Sequence, residues 1–334
     1  MKLKKSLKFS VFLHTMKSVN MKTLKIFIVI LFCFSSSEKL FSQFYYDDND
    51  LIIEIGGGLG MMSSVTDLGG ANSDSKIYFN EWNKFTTSPT LFVGVMYQDF
   101  LGLRLQSTWG KVSANDATIK GTSGNLISKR NRNLNFRSNI VEIALLTEFH
   151  PFMLKYYEDG PPRLSPYLTA GIGYFSFKPE AYFDGRYIDL RPLRLEGQDM
   201  TEYPDRTLYK TSQVNVPLGV GIRYEINDLL NVRFEFLHRV LFTDYLDDAS
   251  NRKWIDPKLF DKYLTPLQAA YAKALYDPRI PGAKPSPARR GNPDDNDTYL
   301  TFNFRLGLTL GRNSGSSGST SLNSFFKRST RCPR

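Results

Sequence analysis

Cysteine is nearly absent from this chain. Cys33 and Cys332 are the only two in 334 residues, one inside an apolar N-terminal stretch and the other near the C-terminus. Without that leader no internal pair remains, which excludes a disulfide framework. Histidine is equally scarce: His14 falls in the leader, leaving His150 and His238. Ser/His/Asp catalysis needs three groups to converge, yet His150 falls at a strand end and His238 in an outward register, so nothing draws them together. No catalytic or cofactor-binding residue is therefore expected. Long apolar runs are missing too. The run over 26–34 is shorter than the roughly 20 residues a spanning helix needs. A basic core is also lacking: residues 1–42 carry +7 and the tail after Gly311 +5 of a net +10, which leaves −2 between them. The positive charge belongs to the two ends and gives no ground for a nucleic-acid partner.

What the chain does have is 25 Phe, 18 Tyr and strict alternation. Over residues 299–310, Leu300, Phe302, Phe304, Leu306, Leu308 and Leu310 fall on one face, with Tyr299, Thr301, Asn303, Arg305, Gly307 and Thr309 on the other. An apolar face of this length suits a tilted strand crossing a bilayer, lipid on one side and a polar lumen on the other. Similar segments cover 51–61, 90–97, 101–112, 140–149, 167–175, 214–226 and 230–240. Pro217 removes one ladder donor, so a local bulge is expected there. The glycines at 56, 57, 58 and 60 lack the helix start or Gly-Lys-Ser/Thr of a phosphate loop and read as backbone crowding in a narrow lumen.

Eight strands are thus expected, and the connections between them alternate long and short. That parity belongs to an even-stranded outer-membrane barrel with short periplasmic turns and long outside loops. The fold class expected is an all-β, eight-stranded antiparallel up-and-down transmembrane barrel with long extracellular loops, one carrying a short helix, and both mature termini in the periplasm. Such a lumen is filled by side chains. Glu54, Arg104, Glu142, Arg233, Glu235 and Arg305 are inward candidates of mixed sign and read as an internal ion-pair network, with a proton or ion path as the rival reading. Closing the barrel against 51–61 sets Arg305 near Glu54.

Residues 1–42 read as a signal peptide, cleaved after Ser42, with 1–20 as an upstream start-site extension. Residues 43–311 make the barrel domain, and 312–334 a disordered periplasmic tail behind a Gly/Ser linker. In the loop over 241–298, Thr265-Pro266 signals a helix start, and Leu267, Ala270, Tyr271 and Ala274 form one apolar stripe. The stretch 278–293 is proline-rich and irregular. Asp244, Asp247 and Asp248 follow the seventh strand, and Asp294, Asp295 and Asp297 precede the eighth. Their convergence at one rim would suit calcium, although the spacing matches no EF-hand and a solvated acidic patch is the favoured reading.

Several of these segments resemble a known family. Phe242-Thr-Asp-Tyr-Leu-Asp-Asp248, Arg290-Gly-Asn-Pro293 with Asn296 and Asp297, Arg132-Asn-Leu-Asn-Phe-Arg-Ser138 and Ser165-Pro-Tyr-Leu-Thr-Ala-Gly-Ile-Gly173 are similar to the PorG-like outer-membrane barrels of Bacteroidetes. So are Lys178-Pro179, Tyr187-Ile-Asp-Leu190 and Glu196-Gly-Gln198. The resemblance covers about residues 50–310. It implies an outer-membrane component of the type IX secretion and gliding motility machinery, in contact with lipid, that ties a periplasmic ring of the PorK and PorN kind to the membrane without being the export channel. The candidate docking surface is the extended connection after the fourth strand, with Tyr156, Tyr157, Glu158, Asp159 and Arg163. A stand-alone surface barrel whose long loops bind a ligand or mediate adhesion is the alternative, and a rim-site enzyme a third. One departure from the family pattern is that more than twenty residues follow Gly311, whereas such barrels usually stop near an aromatic residue.

Overall fold

Alternating side chains make each strand two-faced, and only closure of the sheet lets all eight apolar faces point the same way. A computed structural model describes residues 51–69, 85–119, 124–154, 162–250, 253–281 and 290–310. Its strands are β1 (Leu51–Val65), β2 (Thr86–Tyr97), β3 (Leu101–Asn115), β4 (Asn135–Phe149), β5 (Leu164–Phe183), β6 (Arg186–Asp189), β7 (Ser212–Glu225), β8 (Leu230–Leu241) and β9 (Thr298–Leu310). Eight close into an antiparallel barrel through the β1–β9 and β4–β5 ladders, while β6 pairs with β5 alone and forms a short ribbon beyond the rim. The helices are α1 (Gly124–Arg132), α2 (Leu259–Tyr263) and α3 (Pro266–Tyr276), all in connections.

The register fixes the stagger. Opposed residues lead from Ser63 through Leu300, His238, Leu218, Ala170, Thr147, Leu103 and Val95 back to β1 at Ile53, an offset of 63 to 53, or ten residues. Such stagger tilts the strands by roughly 35–45° and leaves an interior that side chains fill. Two tight connections set the parity. Gln98 and Asp99 both take positive φ (47° and 56°), the geometry of a twist-matched two-residue hairpin. The Asn227 side chain accepts the Leu229 and Leu230 amides at 3.0 and 2.8 Å and closes the turn into β8.

The exterior is apolar and exposed: Leu59, Ile172 and Phe234 are all more than 60% accessible, which water would not tolerate over a whole belt but lipid does. Strands run further than alternation predicts, nearly always at the long-loop end. β5 has 20 residues where a crossing needs about 9–11. On the surplus wall, outward residues turn polar: Lys111, Asn139, Arg137, Lys178 and Glu180 succeed Trp109, Val141 and Tyr174. The barrel therefore projects past its apolar belt, held there by the Arg137–Glu180 pair at 2.6 Å.

Pro217 makes no bulge. The β5–β7 ladder skips the pairs at that point and resumes in the same register, Ala170 with Leu218 and Gly173 with Asn215, while Pro217 still opposes Arg239 of β8. A missing amide thus interrupts the ladder without inserting a residue. The leader and tail assignments, 1–42 and 312–334, lie outside the described residues.

Candidate functional site

Two buried polar assemblies occupy the barrel. The first fills the lumen. Inward parity brings Glu54, Glu148, Glu235 and four arginines together, and the guanidinium fork lets each arginine bridge two acids. Arg223 reaches Glu54 at 2.7 Å, Glu54 also binds Arg233, Arg233 meets Glu148 at 2.6 Å, Glu148 binds Arg104, Arg104 meets Glu235 at 2.8 Å, and Glu235 binds Arg305. Signs alternate along this chain of seven groups without interruption. Tyr167 donates to Glu235 at 2.9 Å, and Arg305 donates to Gln106 at 2.7 Å. An apolar layer of Ala144, Leu146 and Leu237 lies in the same interior. A separate pair, Arg239 with Glu142 at 2.9 Å, is completed by Asn215 and Tyr299, which donate to Glu142 at 2.8 and 2.9 Å.

Arg305 faces the lumen as expected of its parity, but it opposes Gly58 and pairs with Glu235; Glu54 opposes Thr309 and binds Arg223 and Arg233 instead. Gly58 lies four positions along β1 from Glu54, and the guanidinium instead meets Glu235 on the neighbouring strand β8 while donating across the lumen to Gln106 and Tyr167. Gly58 has to lack a side chain: a Cβ there would lie 2.2 Å from the Phe304 carbonyl oxygen and 2.5 Å from Arg305 Cγ. Arg223, Arg239 and Glu148 complete the network. Parity was the available signal, Arg223 with Asn215, Arg239 with Arg233 and Glu148 with Glu142; the pairings of Arg223 with Glu54, Arg233 with Glu148 and Arg239 with Glu142 join non-adjacent strands and have no counterpart along the chain.

The second assembly is a folded cap over the long-loop end. Leu68, Leu134, Tyr209, Leu246 and Ala249 from the connections join Met62, Val112, Phe175 and Tyr299 of the wall in one apolar cluster. A further cluster unites Leu190, Leu193, Leu195 and Met200 with Ile255, Phe260 and the buried face of α3. That face is Ala269, Ala272, Leu275 and Tyr276, not the expected stripe; Leu267 and Ala270 are exposed. Two alanines permit a close approach that bulkier side chains would block, and Tyr276 anchors the end of the helix by donating to the Ile255 carbonyl at 2.6 Å. Thr265 forms the expected cap, reciprocally bonded with Gln268.

Two arginines knit this cap internally. Arg132 holds Asp116 through Nε at 2.7 Å and Nη2 at 3.1 Å and donates to the Arg290 carbonyl at 2.6 Å. Arg290 approaches Glu196 at 3.2 Å and Asp248 at 3.6 Å, and donates to the Tyr276 carbonyl at 3.1 Å. Beside them lies an acidic group, buried at Asp244, Asp247 and Asp297 and half-buried at Asp67. Asp247 accepts the Leu68 amide at 3.2 Å and the Ala249 amide at 3.0 Å, Asp297 accepts the Leu246 amide at 2.9 Å, and Asp67 accepts the Asn292 amide. Asp244 is 6% exposed, and neither of its oxygens has a hydrogen-bond partner; the Ser250 hydroxyl is near enough to favour its charged form but out of bonding geometry. Burial, and then repulsion from Asp247 and Asp67, pushes Asp244 up to about 10. The same causes, burial first and Asp67 next, push Asp247 up to about 8, and burial with Asp247 and Asp244 holds Asp297 well above the carboxylate range. Burial raises Asp248 to about 7 against the opposing pull of Arg290.

A family model described as the outer membrane protein beta-barrel domain matches residues 45–256. The chain belongs to this outer-membrane barrel family. Among solved structures it is similar to Ail, the attachment invasion locus protein of Yersinia pestis, at 9% identity over 78% of this chain and 99% of that one, with a TM-score of 0.35. Neisserial surface protein A matches at 8% identity over 78% and 96%, TM-score 0.33, and OprG of Pseudomonas aeruginosa at 12% over 78% and 96%, TM-score 0.32. No curated protein matches the chain.

In this family member the six aspartates considered for calcium do not act as one set. Asp244, Asp247, Asp248 and Asp297 are buried, whereas Asp294 and Asp295 are exposed. Among the described residues no three acidic, histidine or cysteine side chains gather in an arrangement that could hold a metal ion. Of the docking candidates, Tyr156, Tyr157, Glu158 and Asp159 lie outside the described residues; Arg163 is exposed at the short-turn end, its carbonyl accepting the Glu225 amide at 2.8 Å. His238 points outward, apart from His150. His150 does find a hydroxyl, with Nδ1 2.9 Å from Ser165 Oγ and Nε2 3.6 Å from Glu148. All three are buried, and the cavity beside Glu148 measures about 10 Å³, room for a single water and no substrate. A groove of about 870 Å³ is lined mainly by outward side chains such as Leu59, Leu168, Ile222, Phe234 and Phe304 and belongs to the lipid face.

Proposed function

We propose that this barrel is a non-conducting outer-membrane component of the type IX secretion and gliding motility machinery, tying a periplasmic ring of the PorK and PorN kind to the membrane by its short-turn end. The observation that carries this reading is the filled lumen. With a continuous ion-pair chain from Arg223 to Arg305 and a cavity of only about 10 Å³ beside it, work is left to the two ends and the lipid face. The PorG-like resemblance adds to it: most of the segments that carry the resemblance contribute to one folded cap, through Arg132, Glu196, Gln198, Asp248, Arg290 and Asp297. In this orientation the long loops face outward, and both ends of the barrel domain lie in the periplasm. No step of the role requires a catalytic residue or a cofactor. Replacing residues 155–163 with a two-residue turn should abolish copurification of the ring while the barrel still folds; unchanged copurification eliminates that surface. Deletion of the whole chain should stop secretion.

The second reading is a stand-alone surface barrel whose loops bind a ligand or another cell. The preorganised cap favours it, because a loop surface fixed before binding loses little conformational freedom on binding. Intact secretion and gliding in a deletion strain would select this reading.

A further inference from the structure

We propose that Asp67, Asp244, Asp247 and Asp297 form a proton-operated clasp that holds the cap shut over the long-loop end and releases it when the carboxyls ionise. The placement carries the argument. Asp67 comes from the connection after β1, Asp244 and Asp247 from the start of the β8–β9 connection, and Asp297 from its end. Asp247 holds the Leu68 amide and Asp67 the Asn292 amide, which joins the two connections, and Asp297 holds the Leu246 amide, which ties the two ends of the β8–β9 connection together. Four ionised carboxylates, three of them buried, would repel one another with little solvent screening.

Among the described residues, Lys129 and Arg132 pull Asp67, and Arg132 pulls Asp247, toward the charged form, but burial and mutual repulsion outweigh them. From the β3–β4 connection, Lys129 donates to the Asp67 carbonyl at 3.0 Å, and Arg132 is occupied by Asp116. Glu196, from the connection after β6, and the exposed Asp295 add negative charge. Tyr245, Thr66 and Ser250 supply only neutral hydroxyls, and Arg290 serves Asp248 and Glu196. Asp244, whose two buried oxygens accept no hydrogen bond among the described residues, is the group that most needs its own proton. Each of these carboxyls is raised above its ordinary value on folding. Stability from the clasp is therefore fully present below the ordinary carboxylate range and is lost as pH rises through the raised values.

The test is hydrogen exchange on the full chain refolded in detergent. After correction for the intrinsic rate, protection of the Leu68, Leu246, Ala249 and Asn292 amides should fall as pH rises from the ordinary carboxylate range toward the raised values, by about tenfold per pH unit for each proton released on opening, while the Leu103 and Ile143 amides of the wall hold. Asp244→Asn should carry the loss to higher pH, and Asp294→Asn, at an exposed position, should leave it where it is. Protection independent of pH, loss in cap and wall together, or an equal shift from both variants would overturn the clasp. Should Asp244→Asn fail to fold, infrared spectroscopy of the wild type decides: a protonated-carboxyl band present at neutral pH and bleached in alkali supports the proposal, and its absence refutes it.

Discussion

Glu235 is the residue whose removal should matter most in the lumen. It binds Arg104 and Arg305 and accepts the Tyr167 hydroxyl, all fully enclosed. Glu235→Gln leaves two guanidiniums short of charge in a place water does not reach, and breaking a buried pair in this way costs about 3–5 kcal/mol. Glu225 lies at the lumen mouth, 3.0 Å from Arg223, which also holds Glu54 and Asp99. Glu225→Gln should cost less than Glu235→Gln, because Arg223 keeps Glu54 and Asp99 as partners. Urea unfolding of the refolded barrel, followed by its mobility shift on gels, measures both; equal losses would show that the network does not act as a connected chain. The mixed signs of Glu54, Arg104, Glu142, Arg233, Glu235 and Arg305 were legible from alternation, but their pairing was not, because it depends on how many strands close the barrel and with what stagger.

At the scale of elements, the strands and the loops behave differently. β3 and β4 form their ladder over 15 opposed positions, apolar outward along the belt and polar outward on the wall beyond it. α3 instead depends on its cap and its neighbours. Thr265→Ala removes the side-chain acceptor of the Gln268 amide and should lower cap stability by about 0.5–2 kcal/mol, read by limited proteolysis of the cap while the barrel resists. A variant as resistant as the wild type would mean that packing on Ala269 and Ala272 suffices to hold the helix. The start of this helix was visible at Thr265-Pro266. Its buried face was not, since Leu267, Ala270, Tyr271 and Ala274 form as good a stripe on paper as the face actually chosen. Weak amphipathicity leaves that decision to the partner, here Phe260 and the 190–195 segment.

For the whole molecule, a barrel plugged by side chains and covered by a folded cap should pass no ions. Planar bilayers containing the refolded protein are expected to stay silent near neutral pH; discrete conductance steps would contradict a filled lumen. The cap also explains why the long connections could not be read as independent loops. Residues 67, 116, 132, 196, 248 and 290 are far apart in sequence, yet they contact one another or a shared partner through Arg132 and Arg290.

The sequence by itself determined the barrel: strict period-two alternation, tight turns at Gln98-Asp99 and Asn227-Asp228, and alternating connection lengths leave few other ways to bury eight two-faced strands. Those signals are local, so they survive without coordinates. Only the tertiary structure decided which arginine met which carboxylate, that Pro217 interrupts a ladder without bulging it, and that Asp67, Asp244, Asp247 and Asp297 gather in one place. Each of these depends on contacts between segments brought together by closure, and charge pairing across a lumen or between loops has no period along the chain.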